Sequence, residues 1–308
     1  MSLANKLQNV YTNLDNGLTT QSELITQISE ALIERVASTK VEQEKSIEII
    51  SNGTTEVTPD EGKTLSKVSI TTNIESNGSG VDFLDLKNTL SSYNNNELTS
   101  LDNYAFAGCL SLTSIDLPVC TYIGGSAFAN CRSLTSVDLP KCSVFGYYAF
   151  YSCTSLTSVN LPACRHINNY LFTFCTSLVS IDLPVCTTVG YSAFADCTSL
   201  ISVDLPVCTS IGGYAFSGCR SLTSVNLPMC SSIAASTFYQ CSSLTSLTLG
   251  YSSVVKLGNI NAFTDTPMSI FTLTSSFGSI YVPASLVDAY KSATNWTAYA
   301  DRITAIVE

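Results

Sequence analysis

Ala127-Phe128-Ala129-Asn130-Cys131-Arg132-Ser133-Leu134-Thr135-Ser136-Val137-Asp138-Leu139-Pro140-Lys141-Cys142 decides the fold, because the chain keeps repeating it. All thirteen cysteines lie between Cys109 and Cys241, each eleven residues after the last. Taken in pairs they mark a 22-residue unit that restarts at Ala105, Ala127, Ala149, Leu171, Ala193, Ala215 and Thr237. A fixed period in this range is the signature of stacked, mutually dependent units. One unit alone cannot bury enough apolar surface to offset the backbone entropy lost in ordering it. Stacking supplies the missing burial and hydrogen bonds.

Within each unit the two cysteine-led halves share a plan. Leu134, Val137 and Leu139 are expected to point inward from one side of a coil, and Phe145, Ala149 and Phe150 from the other. Pro118, Pro140, Pro162, Pro184, Pro206 and Pro228 each follow a short strand, where no further ladder donor is needed. Gly124, Gly146, Gly190 and Gly212 take the turn after the second-half apolar residue. Asn168 is expected to fit the same place because Asn tolerates positive φ, and Ala234 to relax it. Leu98 stands where a cysteine would, so 82–97 should form an atypical capping coil.

The flanks read differently. Leu3, Leu7, Val10 and Leu14, then Leu24, Ile28, Leu32 and Val36, predict two short amphipathic helices over 1–37, an attachment or homo-oligomerising segment or a simple hairpin. Alternating runs around Asn52-Gly53 predict a small β module over 46–75 with a type I′ turn. Ser76-Asn77-Gly78-Ser79-Gly80 reads as a linker over 76–81, which leaves 82–250 as the solenoid and 251–308 as a C-terminal cap.

Composition bounds the function. Net charge is −10 and charged residues are only 12 % of the chain, with no basic stripe, which argues against nucleic-acid binding. No apolar run approaches the ~18 residues of a spanning helix, and the first residues lack a secretory signal pattern. In-register Cβ atoms about 5 Å apart overshoot the usual 3.5–4.5 Å of a disulfide. With no C-x-x-C pair and His166 as the one histidine, metal binding is not expected either. The cysteines are expected to be buried reduced thiols, made in a reducing compartment. No catalytic motif occurs, and no enzyme, cofactor or metal is expected.

Here the residues carry a resemblance. Blocks such as Ala127–Pro140 and Ala215–Pro228 resemble the leucine-rich repeats of the BspA-like family, found in surface proteins of gut and oral bacteria and protists and in related prophage proteins. The match covers about 98–250, and the segment from Ile280-Tyr281-Val282-Pro283 to Asn295-Trp296 resembles the strand and helix that close such proteins. Residues 46–75 resemble β modules beside such repeats in phage structural proteins. The resemblance implies a leucine-rich-repeat solenoid of short parallel β-strands, with an N-terminal helical segment, a small β module and a strand-helix cap. For function it implies adhesion or receptor recognition, and no catalytic residue transfers with it.

Two outward surfaces follow from the register. One carries Asp116, Asp138, Asn160, Asp182, Asp204 and Asn226 in a row; a cation such as Ca²⁺ would relieve their repulsion, but interruption by Asn and solvation favour an empty ladder. The other carries Tyr122, Tyr147, Tyr148, Tyr170, Tyr191 and Tyr214, with Arg165 and His166 among them. Exposed tyrosines suit stacking on sugar rings or packing on a protein, or they simply shield ladder edges. The reading is a binding protein, tail-associated or fibre-like in a phage virion assembled in bacterial cytoplasm, recognising a host-surface glycan or protein. The alternatives are a bacterial cell-surface adhesin and a structural spacer.

Overall fold

The computed structural model describes residues 48–50, 54–56, 90–250, 252–269 and 277–306. The helical expectation for 1–37 and the linker at 76–81 lie outside them. Glu48–Ile50 pairs antiparallel with Thr54–Glu56, Ile50 opposite Thr54, so three residues separate the paired ends instead of the two of a type I′ connection.

From residue 90 the chain winds into a succession of stacked coils with three walls. The first wall stacks the strands Ser92–Asn94, Ser114–Asp116, Ser136–Asp138, Ser158–Asn160 and Ser180–Asp182, all parallel and in register. A second ladder continues it from Ser202–Asp204 through Ser224–Leu227, Ser246–Leu249 and Ser279–Val282 to Ile303–Ala305. The alternation exposed–buried–exposed along these strands is the period of 2 that sends Ile115, Val137 and Val159 inward. The second wall is a row of two-residue strands, Tyr122–Ile123 and Val144–Phe145, then His166–Ile167 through Lys256–Leu257.

The third wall is built from stacked turns, the Ala-Phe-x-x-Cys segments. Phe106 N donates to the Ala127 carbonyl, Phe128 N to Ala149, and Phe150 N to Leu171, so each coil is sewn to the next. Behind this wall Phe106, Phe128, Phe150, Phe172, Phe194, Phe216, Phe238 and Phe263 form one continuous stack, centroids 5.3–5.7 Å apart and within 13° of parallel. Aromatic rings close both ends: Tyr93 tilts onto Phe106 at 4.7 Å, and Tyr299 meets Phe263 edge-on at 5.1 Å. The C-terminal closure is a strand, Ser279–Val282, a short helix, Val287–Ser292, and a buried Trp296 whose Nε1 donates to Val255 O at 2.7 Å. The final strand, Ile303–Ala305, has no sequence signal comparable to the repeats, because only its hydrogen bonds to Ser279–Val282 define it.

The thirteen thiols are buried and none is in a disulfide, and the two halves use them differently. First-half thiols reach between coils: Cys131 Sγ donates to Phe106 O at 3.1 Å and Cys153 to Phe128 O at 3.1 Å. Second-half thiols act within their own turn, Cys164 Sγ donating to His166 O at 3.4 Å. A thiol here fills a small apolar site and also bonds a carbonyl, which Ala or Val cannot do. Burial pushes Cys164 and Cys208 up to about 12.

Two turn expectations are corrected. Asn168 is not in the left-handed region, and neither are Gly124, Gly146, Gly190 or Gly212. Glycine is favoured there because the preceding coil sits close: a Cβ on Gly146 would lie 2.2 Å from Gly125 N, and one on Gly212 2.7 Å from Gly190 C, unless the backbone shifts. Asn168 carries that Cβ, and its Nδ2 replaces the missing backbone donor by bonding Phe145 O at 2.5 Å. The short-strand wall breaks at this coil, between Val144–Phe145 and His166–Ile167. Ala234 does not relax its turn, since its N–H still reaches Ile211 O at 3.1 Å.

Candidate functional site

Left-handed backbone occurs at two places in each turn wall. One precedes the inward Ala-Phe pair (Tyr104, Ser126, Tyr148, Tyr170, Ser192, Tyr214, Ser236); the other precedes the cysteine (Gly108, Asn130, Ser152, Phe174, Asp196, Gly218, Gln240). Gly108 and Gly218 show that glycine fits the second of these places; the first is held by Tyr or Ser in every coil. Tyr148, Tyr170 and Tyr214 hold φ of 57–61° and Phe174 holds 62°, at a cost of roughly 1–2 kcal/mol each relative to an unstrained residue. The fold asks for a turn at these sites; it does not ask for an aromatic ring.

Those rings meet. Tyr148 and Tyr170 stack at 4.6 Å and 5°, Tyr170 meets Tyr191 edge-on at 5.4 Å, and Tyr191 tilts onto Tyr214 at 5.6 Å. Tyr151 joins from the side, 5.7 Å from Tyr148, and links to Phe174 at 5.5 Å. Six rings thus form one connected outward patch over four coils. Tyr191 lies in the turn one residue earlier than the others, and its N–H is held by Asn169 Oδ1 at 2.8 Å. Its ring is seated over Gly213, where an added Cβ would sit 3.5 Å from Cε2.

The eight residues singled out in the sequence therefore divide. Tyr148, Tyr170, Tyr191 and Tyr214 come together on the turn wall, with Tyr147 exposed beside Tyr148. Tyr122, Arg165 and His166 belong to the short-strand wall: Tyr122 pairs with Ser100 and Val144, and His166 Nδ1 shares a hydrogen bond with Thr188 Oγ1 at 2.8 Å. Sequence reasoning passed over Tyr151 and Phe174. Phe174 carried a signal, a second Phe two places after the inward Phe172, where the repeat otherwise places small or polar residues.

In the acidic row Asn160 Nδ2 donates to Asp138 Oδ1 at 3.0 Å and Asn226 Nδ2 to Asp204 Oδ1 at 2.9 Å, so each interrupting amide offsets repulsion at one carboxylate, while Asp116 stays in register with Asp138. Among the described residues no group of three or more His, Cys, Asp or Glu is arranged to hold a metal, and no helix is long and apolar enough to cross a membrane.

Comparison with known proteins accords with this geometry. The BspA type leucine rich repeat region matches residues 82–186 and 165–284, in six copies. The chain belongs to that family. It is a leucine-rich-repeat protein. A leucine-rich repeat protein from Bacteroides ovatus is 27 % identical over 52 % of this chain and 49 % of its own, with a TM-score of 0.45, so the chain spans about half of that relative's length. The leucine rich repeat protein of T. pallidum is 23 % identical over 71 % of this chain and 86 % of its own, TM-score 0.37. A leucine rich cell surface protein from Faecalibacterium prausnitzii is 16 % identical over 67 % and 93 %, TM-score 0.27. Among curated proteins no sequence relative is found.

Proposed function

We propose that this BspA-type chain is a non-enzymatic recognition protein whose turn wall presents the Tyr148–Tyr170–Tyr191–Tyr214 patch to a host-surface glycan or protein. The carrying observation is that aromatic rings occupy backbone positions where glycine costs less, and that they adjoin one another in space. Large rings with a polar hydroxyl and few rotatable bonds give contact area at low entropic cost. The non-enzymatic reading is supported by His166, engaged with the Thr188 hydroxyl, and by Cys164, two residues before it, which is buried and held protonated.

Two settings are proposed. A tail-associated or fibre-like place in a phage virion is supported by the resemblance of 46–75 to phage modules, with 1–37 as the attachment or homo-oligomerising segment. Display on a bacterial cell surface is supported by the family itself. A purely structural spacer is the remaining reading, favoured by the packing of the rings on each other. A glycan array and a whole-cell binding assay on the full chain separate recognition from the spacer. Binding should be lost in a variant carrying Tyr147→Ala, Tyr148→Ala and Tyr170→Ala; a folded wild type that binds no glycan and no cell favours the spacer.

A further inference from the structure

The aromatic row does not end at Tyr214. Beyond it the repeat lengthens from 22 to 25 residues, Phe238 to Phe263, and at this end of the row lies an open cleft of about 450 Å³ lined by Tyr214, Ser236, Tyr239, Asn261 and Thr264. That is within the roughly 300–1,000 Å³ of small-molecule sites. The lining has a definite chemistry: two phenol rings, two hydroxyls and one carboxamide, with no aliphatic side chain, carboxylate or ammonium. Among the described residues no hydrogen bond inside the protein takes up the Ser236 hydroxyl, the Asn261 carboxamide or the Thr264 hydroxyl, while Asn261 N is already held by Asn259 Oδ1 at 2.9 Å. The backbone is fixed, and these side-chain polar groups are open to solvent and accessible to a ligand. Tyr239 is oriented by Gln240 Nε2, which donates to its hydroxyl at 3.4 Å. Arg220 and Asp265 line a neighbouring cleft of about 300 Å³ and not this one.

We propose that this cleft is a terminal subsite for one neutral pyranose ring, which anchors a longer saccharide laid along the Tyr191–Tyr170–Tyr148 row. An uncharged sugar offers an apolar C–H face for the rings of Tyr214 and Tyr239, and hydroxyls able both to donate to and to accept from Ser236, Asn261 and Thr264. A peptide end would bring a charge that nothing here pairs. The inference rests on the recognition reading of the turn wall and narrows it to a ligand class.

The test titrates the full chain with methyl hexopyranosides, with neutral hexose and N-acetylhexosamine oligosaccharides and with uronic-acid oligosaccharides, read by saturation-transfer NMR and calorimetry. Asn261→Ala with Thr264→Val should weaken methyl glycoside binding about tenfold, as loss of one or two neutral hydrogen bonds does. Tyr148→Ala with Tyr170→Ala should weaken the longer neutral chains several-fold more than the methyl glycosides. Glycoside binding that survives Asn261→Ala with Thr264→Val, a preference for the acidic oligosaccharides, or no glycoside binding by the folded wild type overturns the subsite. If cell binding is nevertheless lost with Tyr148 and Tyr170, the cleft alone has failed. If glycosides bind the cleft while cells ignore the row, the turn-wall reading has failed.

Discussion

Two aromatic ladders run along the two sides of the same turn wall, and they obey different rules. The inner one never misses a coil: from Phe106 to Phe263 each ring lies within 13° of its neighbour, fully buried. The outer one occupies a few coils, with neighbouring rings at 5°, 63° and 58°, and alternates with Ser and Gly elsewhere. The inner regularity follows from coil spacing, since a buried ring must fill the same hole each time. The outer irregularity means that packing does not dictate those residues, and four of them sit in a strained backbone state (Tyr148, Tyr170, Tyr214 and Phe174). Conformational cost without a packing requirement is the pattern of a working surface.

The contrast breaks first at its inner member. Phe172→Ala should lower stability by about 3–5 kcal/mol, because it opens a cavity in mid-stack; a shift in the urea midpoint with the helix-poor circular dichroism spectrum retained is the readout. An effect under about 1 kcal/mol would mean that the stack is not what holds neighbouring coils together.

Alkaline pH attacks the same interior from its thiols. Burial raises Cys164 and Cys208 to about 12 from the 9.0 of an exposed thiol, so the fold holds protons that the unfolded chain releases. Their contribution is complete below about pH 9 and is lost as pH climbs toward 12, at about 1.4 kcal/mol per pH unit for each thiol. Melting temperatures should hold steady from pH 6 to 8 and fall steeply above 9. A flat profile to pH 11 would contradict the burial.

The outer ladder should respond in the opposite sense. Tyr170→Gly gives up ring contacts worth about 0.5–1.5 kcal/mol but relieves left-handed strain of similar size, so stability should stay within about 1 kcal/mol of wild type by denaturant titration. The smallest effect is expected at the acidic row. Calcium or a chelator should leave the melting temperature unchanged, because Asn160 and Asn226 already bridge their carboxylate neighbours.

The coil, its inward residues and its reduced cysteines were legible because each is a per-repeat necessity written seven times. What stayed hidden depends on distances between coils. Glycine at 146 looks like a turn residue in sequence, and only the 2.2 Å approach of Gly125 N shows that it serves the close spacing of coils. Asn168 resembles a tolerated substitution, yet it replaces a backbone donor with its own amide and interrupts the short-strand wall. The site was half legible. The tyrosines stood out by type, but a linear reading set Tyr122, Arg165 and His166 among them although they lie on the next wall, and it left out Tyr151 and Phe174, which join the patch through ring contacts alone.

The most direct test measures stability and recognition on one sample. A variant with Tyr148→Gly, Tyr170→Gly and Tyr214→Gly is compared with wild type by thermal melting and by binding to whole bacterial cells. The melting temperature should stay close to wild type and binding should be abolished. A collapse in melting temperature, or binding that persists, would contradict it and make the tyrosines part of the wall they stand on.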